Sequence, residues 1–166
     1  MVAALYYRTG TPIIFGSEVA DDVAWSTESI AAAAGRQSAL HDQGADGTAR
    51  PAYWRYRFYT QCQATPAVGK AIDLRLKTSD GTHLDNDDGA GDAAISSINK
   101  LLNLWPLVPA IVDEAAANIE YVSHGSVLIL PRYFGVAFWN PTGNATITTD
   151  VAETKAVFTP YYLESQ

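Results

Sequence analysis

"YWRYRFY", residues 53–59, sets five aromatic rings and two arginines into seven positions. Two readings compete for it: a platform on which nucleotide bases stack, or a strand with one buried face. Trp54, Tyr56 and Phe58 alternate with Arg55, Arg57 and Tyr59, the period of two expected of a half-buried strand. "AIDLRLKT", residues 71–78, repeats the pattern, with Ile72, Leu74 and Leu76 on one side and Asp73, Arg75 and Lys77 on the other. Net charge argues the same way. The chain carries 11 basic and 18 acidic residues, a formal −7, whereas nucleic-acid binders present a basic surface that neutralises phosphates. Trp54, Tyr56 and Phe58 are therefore assigned to a core.

Outward from this pair, β signals dominate. The Pro- and Gly-rich connection "ATPAVGK" lets the two runs pair directly or lie in facing sheets. The polar stretch "SDGTHLDNDDGAGD" reads as a surface loop. In "AAISSINKLL" apolar residues at 94, 95, 98, 101 and 102 predict a short helix. Pro106 and Pro109 exclude a continuous helix or a central strand nearby and leave an irregular edge strand. "NIEYVS", "SVLILP", "YFGVAFWN", "ATITT" and "KAVFTPYY" follow as short strands, broken at "SHG" and "NPTGN". "YFGVAFWN" and "ATITT" read as a hairpin. From Thr9 to Arg50 small and polar residues prevail, with an Ala run at 31–34 that Gly35 could cap as a helix.

These signals predict one all-β domain: an antiparallel, jelly-roll-like β-sandwich over 51–166, with at most one or two short helices. Residues 1–50 are expected to form an extended N-terminal arm and irregular segment, partly packed on the sandwich. Charged residues are 17% of the chain and apolar residues 48%, a low charge density that suits a surface covered by partners. The single Cys62 excludes an internal disulfide and reads as a small core hydrophobe. The start of the chain lacks a signal peptide's basic and apolar regions, and no apolar run reaches membrane-spanning length. The expectation is a protein made in a cytoplasm, with no membrane and no nucleic-acid partner.

His41, His83 and His124 are far apart, without metal-ligand spacing. In the acidic loop an EF-hand register with Gly89 at position six would put Leu84 and Ile95 where ligands belong. A different calcium loop would use Asp85, Asp87, Asp88 and Asp92; a solvated turn is favoured. Ser126 near His124 and Ser38 near His41 lie outside any nucleophile elbow. Asp21-Asp22 and Asp113-Glu114 read as surface charges. No phosphate-binding, dinucleotide or C-x-x-C motif occurs. The expectation is a protein that is not an enzyme and takes no cofactor or metal.

Several stretches together resemble a family of tailed-bacteriophage virion structural proteins. They run through Gly35-Arg36-Gln37-Ser38 and Asp42, Thr65-Pro66 with Gly69-Lys70, and the Asp/Gly loop leading to Asp92-Ala93-Ala94. They continue in Leu130-Pro131-Arg132, Asn140-Pro141-Thr142-Gly143 and Thr159-Pro160-Tyr161. Pro141 and the Pro-rich 105–109 segment depart from the pattern. The resemblance implies a capsid decoration (cement) protein made in a bacterial host's cytoplasm: a homo-oligomer on the outer shell that bridges subunits of the major capsid protein. Its interface is expected at Tyr6, Tyr7, Arg8, Ile13, Ile14, Phe15, Trp25 and Arg36. The alternatives are a tail or baseplate component, and a carbohydrate-binding sandwich. For the latter Trp25, in polar surroundings, is the candidate platform, while Trp54, Trp105 and Trp139 read as core.

Overall fold

The computed structural model describes residues 5–45, 50–51, 53–86 and 88–165. Five strands precede residue 50: β1 (Leu5–Thr9), β2 (Ile13–Gly16), β3 (Val23–Ala24), β4 (Ala34–Gln37) and β5 (His41–Asp42). The alternating aromatic stretch lies in β6 (Tyr53–Gln61), followed by β7 (Ala71–Ser79) and β8 (Ala93–Ile95). A 3-10 helix, Ile98–Asn103, leads to β9 (Trp105–Pro106) and β10 (Ala110–Ile111). β11 (Glu120–Leu128), β12 (Tyr133–Asn140) and β13 (Lys155–Ser165) complete the chain.

The first sheet runs β11-β6-β13-β2-β3 and the second β10-β7-β12-β4-β8. The pairings are nested. β2 pairs with β13, β4 with β12, β6 with β11 and β7 with β10, all antiparallel. Such nesting is what results when one long hairpin is rolled into two facing sheets, and it makes this sandwich a jelly roll. β6 and β7 lie in opposite sheets, so their connection crosses the sandwich instead of closing a hairpin.

Between the sheets, Trp54, Phe134, Phe158 and Phe15 form one aromatic cluster, with ring centroids 5.0 Å apart for Trp54–Phe134 and 5.5 Å for Phe15–Phe158. Trp25 stands edge-on to Phe138 at 5.3 Å and also meets Phe58. Tilted and edge-to-face contacts of this kind add to what burial alone contributes. The outer faces differ. On the second sheet, Leu101 and Leu104 of the 3-10 helix segment cover Ala137 and Trp139, so β12 is buried on both sides. The near-continuous apolar run "YFGVAFWN" records that double burial. On the first sheet the outward positions of β6 are exposed or half-buried, as the alternation required.

Several local expectations are corrected. The Ala run forms no helix: Ala33 has a positive φ of 59°, and Ala34 already starts β4. Gly35 lies mid-strand, where a Cβ would come within 2.5 Å of the Phe138 carbonyl oxygen. "SHG" does not break β11; Gly125 passes over Tyr56, whose hydroxyl would stand 2.6 Å from a Cβ. The hairpin after β12 does not form. The Asn140 side-chain amide donates to the Ile30 and Ala145 carbonyls, and the chain crosses to the first sheet, where Ile147 bridges Cys62. In place of an extended arm, residues 5–45 are laid into both sheets, because β13 and β12 present unfilled edges to β2 and β4.

Candidate functional site

The residues expected at an interface are not brought together. Tyr6 and Tyr7 lie in β1 against the end of β13, and their side chains fall outside what the structure describes. Arg8 is exposed, its guanidinium 5.6 Å from the Tyr162 ring centroid. Ile13 and Ile14 are half-buried, Ile13 against the core, and the Ile14 amide donates to Asp22. Phe15 and Trp25 are fully buried, which removes both from any surface the folded chain can present. The polar neighbours of Trp25 misled because they are its framework: its Nε1 donates to the Arg36 carbonyl. Arg36 in turn is held by Asp92 at 2.6 Å.

Trp105 reverses the other expectation. It is 67% exposed, on an edge strand rather than in the core. A groove of about 530 Å³ opens here between the two sheets; Leu76, Trp105, Leu128 and Leu130 are among its apolar lining, and Asp85 and Ser126 among its polar lining. Leu128 and Leu130 are both exposed. Val108 and Ile111 on the β9–β10 side are exposed as well, and so is Val122 at an outward position of β11. The backbone adds to it. β11 is nine residues long and forms the end of its sheet, so one row of its N–H and C=O groups has no ladder partner among the described residues. The facing edge of the second sheet is blunted by two-residue strands and by Pro106 and Pro109.

A second feature occupies the outer face of the first sheet. A shallow trough of about 510 Å³ lies over β6, β11 and β13, lined by Arg55, Arg57, His124, Ser126, Thr159 and Tyr161. The register explains the grouping: Arg55 faces Ser126 and Thr159 on its two neighbours, and Arg57 faces His124 and Val157. Arg36, Arg75 and Arg132 each sit on a carboxylate. Arg55 and Arg57 have none among the described residues; Arg55 donates to the Tyr161 hydroxyl and Arg57 lies 5.9 Å from the Tyr59 ring centroid.

The acidic loop is organised by protein donors. Asp85 accepts from the Thr78 backbone and hydroxyl, and Asp92 from Ser26 and Arg36. The Gln37 amide donates to the carbonyls of Asp88, Gly89 and Gly91, and buried Lys77 donates to those of Ser38 and Gly89. Burial pushes the Lys77 amine down to about 8, against the pull of Asp88 and Asp92. Asp87 lies outside the described residues, and among those described no three His, Cys, Asp or Glu side chains converge. Ser38 donates to the Ala39 carbonyl, and His41 packs against Phe134 and Trp54 with its pKa lowered by burial; the pair makes no nucleophile. Compared with protein-family models, curated proteins and solved structures, the chain matches none.

Proposed function

We propose that the protein is a non-enzymatic structural subunit that docks through its lateral β9–β10–β11 edge onto other protein subunits. In line with the resemblance in its sequence, we take the assembly to be the outer shell of a tailed phage, with the protein decorating it as a homo-oligomer bridging major capsid subunits. The observation that carries the reading is the gathering of exposed Trp105, Leu128 and Leu130 beside a nine-residue open strand. Nine residues at about 3.3 Å each make an edge about 30 Å long, the scale of a standard protein interface. Burying apolar area there contributes about 2.5 kcal/mol per 100 Å² before ordering costs. Many copies on a symmetric shell multiply a modest contact. The alternative of a sugar platform at this edge is less favoured. Trp25 is buried, and Trp105 keeps company with Leu128, Leu130 and Pro131, neighbours that suit an apolar protein contact.

The test is cosedimentation with shells of the phage that encodes the protein, stripped of this subunit, together with immunogold labelling of intact particles. Wild type should bind and label the heads. W105S/L130S, which alters only exposed side chains, should keep its unfolding midpoint and bind at least about tenfold more weakly, since anchor residues cost more than about 1 kcal/mol each when truncated. Label confined to tails would move the assembly site, and no binding to any particle would defeat the reading.

A further inference from the structure

We propose that the outer face of the first sheet is a binding site for an acidic saccharide, one whose rings carry carboxylate or sulfate groups. The site is the trough over β6, β11 and β13, which adjoins the apolar docking edge at Ser126, and the inference does not depend on the assembly reading.

The chemistry of the lining selects the ligand. Arg55 and Arg57 stand two residues apart on one strand, so their guanidiniums emerge side by side on the same face. In a chain of net charge −7, two arginines without a carboxylate partner among the described residues are out of keeping with Arg36, Arg75 and Arg132, each of which holds one. A guanidinium has five donors in a planar fork that matches carboxylate and sulfate oxygens. The single bond from Arg55 to the Tyr161 hydroxyl, at 3.2 Å, leaves most of its fork available. Glu120 is the one acid at the outward positions of β11, and it sits four residues from His124, about 13 Å along the strand.

The remaining groups suit a sugar. Ser126, Thr159 and Tyr161 offer hydroxyls that both donate and accept, as a polyol requires, and His124 adds a ring nitrogen. Tyr59 and Tyr53 lie at the outward positions of β6 on either side of the arginines, where their rings can cover a pyranose face. A volume of about 510 Å³ lies within the usual range of small-molecule sites, and among the described residues no segment covers this face as the 3-10 helix covers the other sheet. A nucleic acid is the weaker occupant. Tracking its backbone takes a row of phosphate contacts in a positive field, whereas here two arginines stand on an acidic protein.

Isothermal titration of the full chain with a chondroitin sulfate tetrasaccharide tests the proposal, with neutral cellotetraose and a short oligothymidylate as comparisons. The acidic saccharide should bind, with affinity falling as salt rises, and cellotetraose should bind at least about tenfold more weakly. R55Q/R57Q should lose at least about tenfold at an unchanged unfolding midpoint, and R55K should lose less, because lysine keeps the charge but not the fork. Trigalacturonate separates carboxylate from sulfate as the recognised group. Equal affinity for cellotetraose, retained binding by R55Q/R57Q, or no binding by the acidic saccharides would each overturn the proposal. Tighter binding of the oligothymidylate would overturn it in favour of a nucleic-acid surface.

Discussion

Lys77 carries a charge into a site with no solvent exposure, and its ammonium holds together two parts of the chain through the Ser38 and Gly89 carbonyls. Its folded pKa of about 8 lies below the ordinary lysine value, so between those two values the unfolded chain binds more protons than the folded one. Stability from this group therefore rises with pH across that window and is flat below about 8. From pH 8 to 9.5 the gain should be about 1.5 kcal/mol, read by urea denaturation, and K77M should lack it. The same variant takes the Lys77 donor from the Ser38 carbonyl and leaves the Gly89 carbonyl with the Gln37 amide alone, so at pH 7 it should be less stable by about 2 kcal/mol despite losing a buried charge. A pH-independent difference between the two proteins would refute the role given to Lys77. None of this was legible in the sequence. "AIDLRLKT" sends Lys77 to the polar side of its strand by alternation, and the loop that buries it lies beyond the reach of period-two reasoning.

Among the elements, the long strands were legible and the connections were not. β6 and β7 announce themselves because each has a wet face and a dry face. β12, dry on both faces, still reads as strand, but its partners could not be inferred: the turn at Asn140–Asn144 suggested a hairpin, while side-chain amides redirect the chain across the sandwich. The tryptophans failed for a related reason. Polar surroundings placed Trp25 outside and a strand-like run placed Trp105 inside, whereas burial is decided by which edge each segment joins. The 3-10 helix Ile98–Asn103 shows how finely an element can divide its faces. Ser97 accepts from the Asn99 amide at its start, and Leu101 is buried on Trp139 while its neighbour Leu102 is exposed. L101A should cost about 2–4 kcal/mol and shift tryptophan emission to the red, as water reaches Trp139. L102A should change stability by less than about 0.5 kcal/mol. Equal effects of the two substitutions would mean that the helix does not seal the second sheet.

For the whole molecule, the nesting of strands ties stability to both ends of the chain. β2 and β13 pair through Phe15–Ala156, Ile14–Val157 and Ile13–Phe158, contacts that close nearly the entire sequence into one loop. Pairings so remote must wait for loop closure, which places folding among slow, non-local β topologies, in the range of milliseconds to seconds. The N-terminal segment divides at Gly10, whose amide donates to the Pro160 carbonyl. Before it, β1 pairs only with the tail of β13; after it, β2 brings Phe15 against Phe134 and Phe158. Two truncations therefore separate an appendage from a structural strand. Removing residues 1–9 should leave a cooperative unfolding transition with a small loss of midpoint. Removing residues 1–16 strips Phe15, worth about 3–5 kcal/mol by itself, and opens one side of β13. That loss is comparable to the whole stability of an ordinary domain, about 5–15 kcal/mol, so the shorter chain should show no cooperative transition by circular dichroism. A folded chain lacking residues 1–16 would show that β2 is carried by the sandwich and does not hold it together.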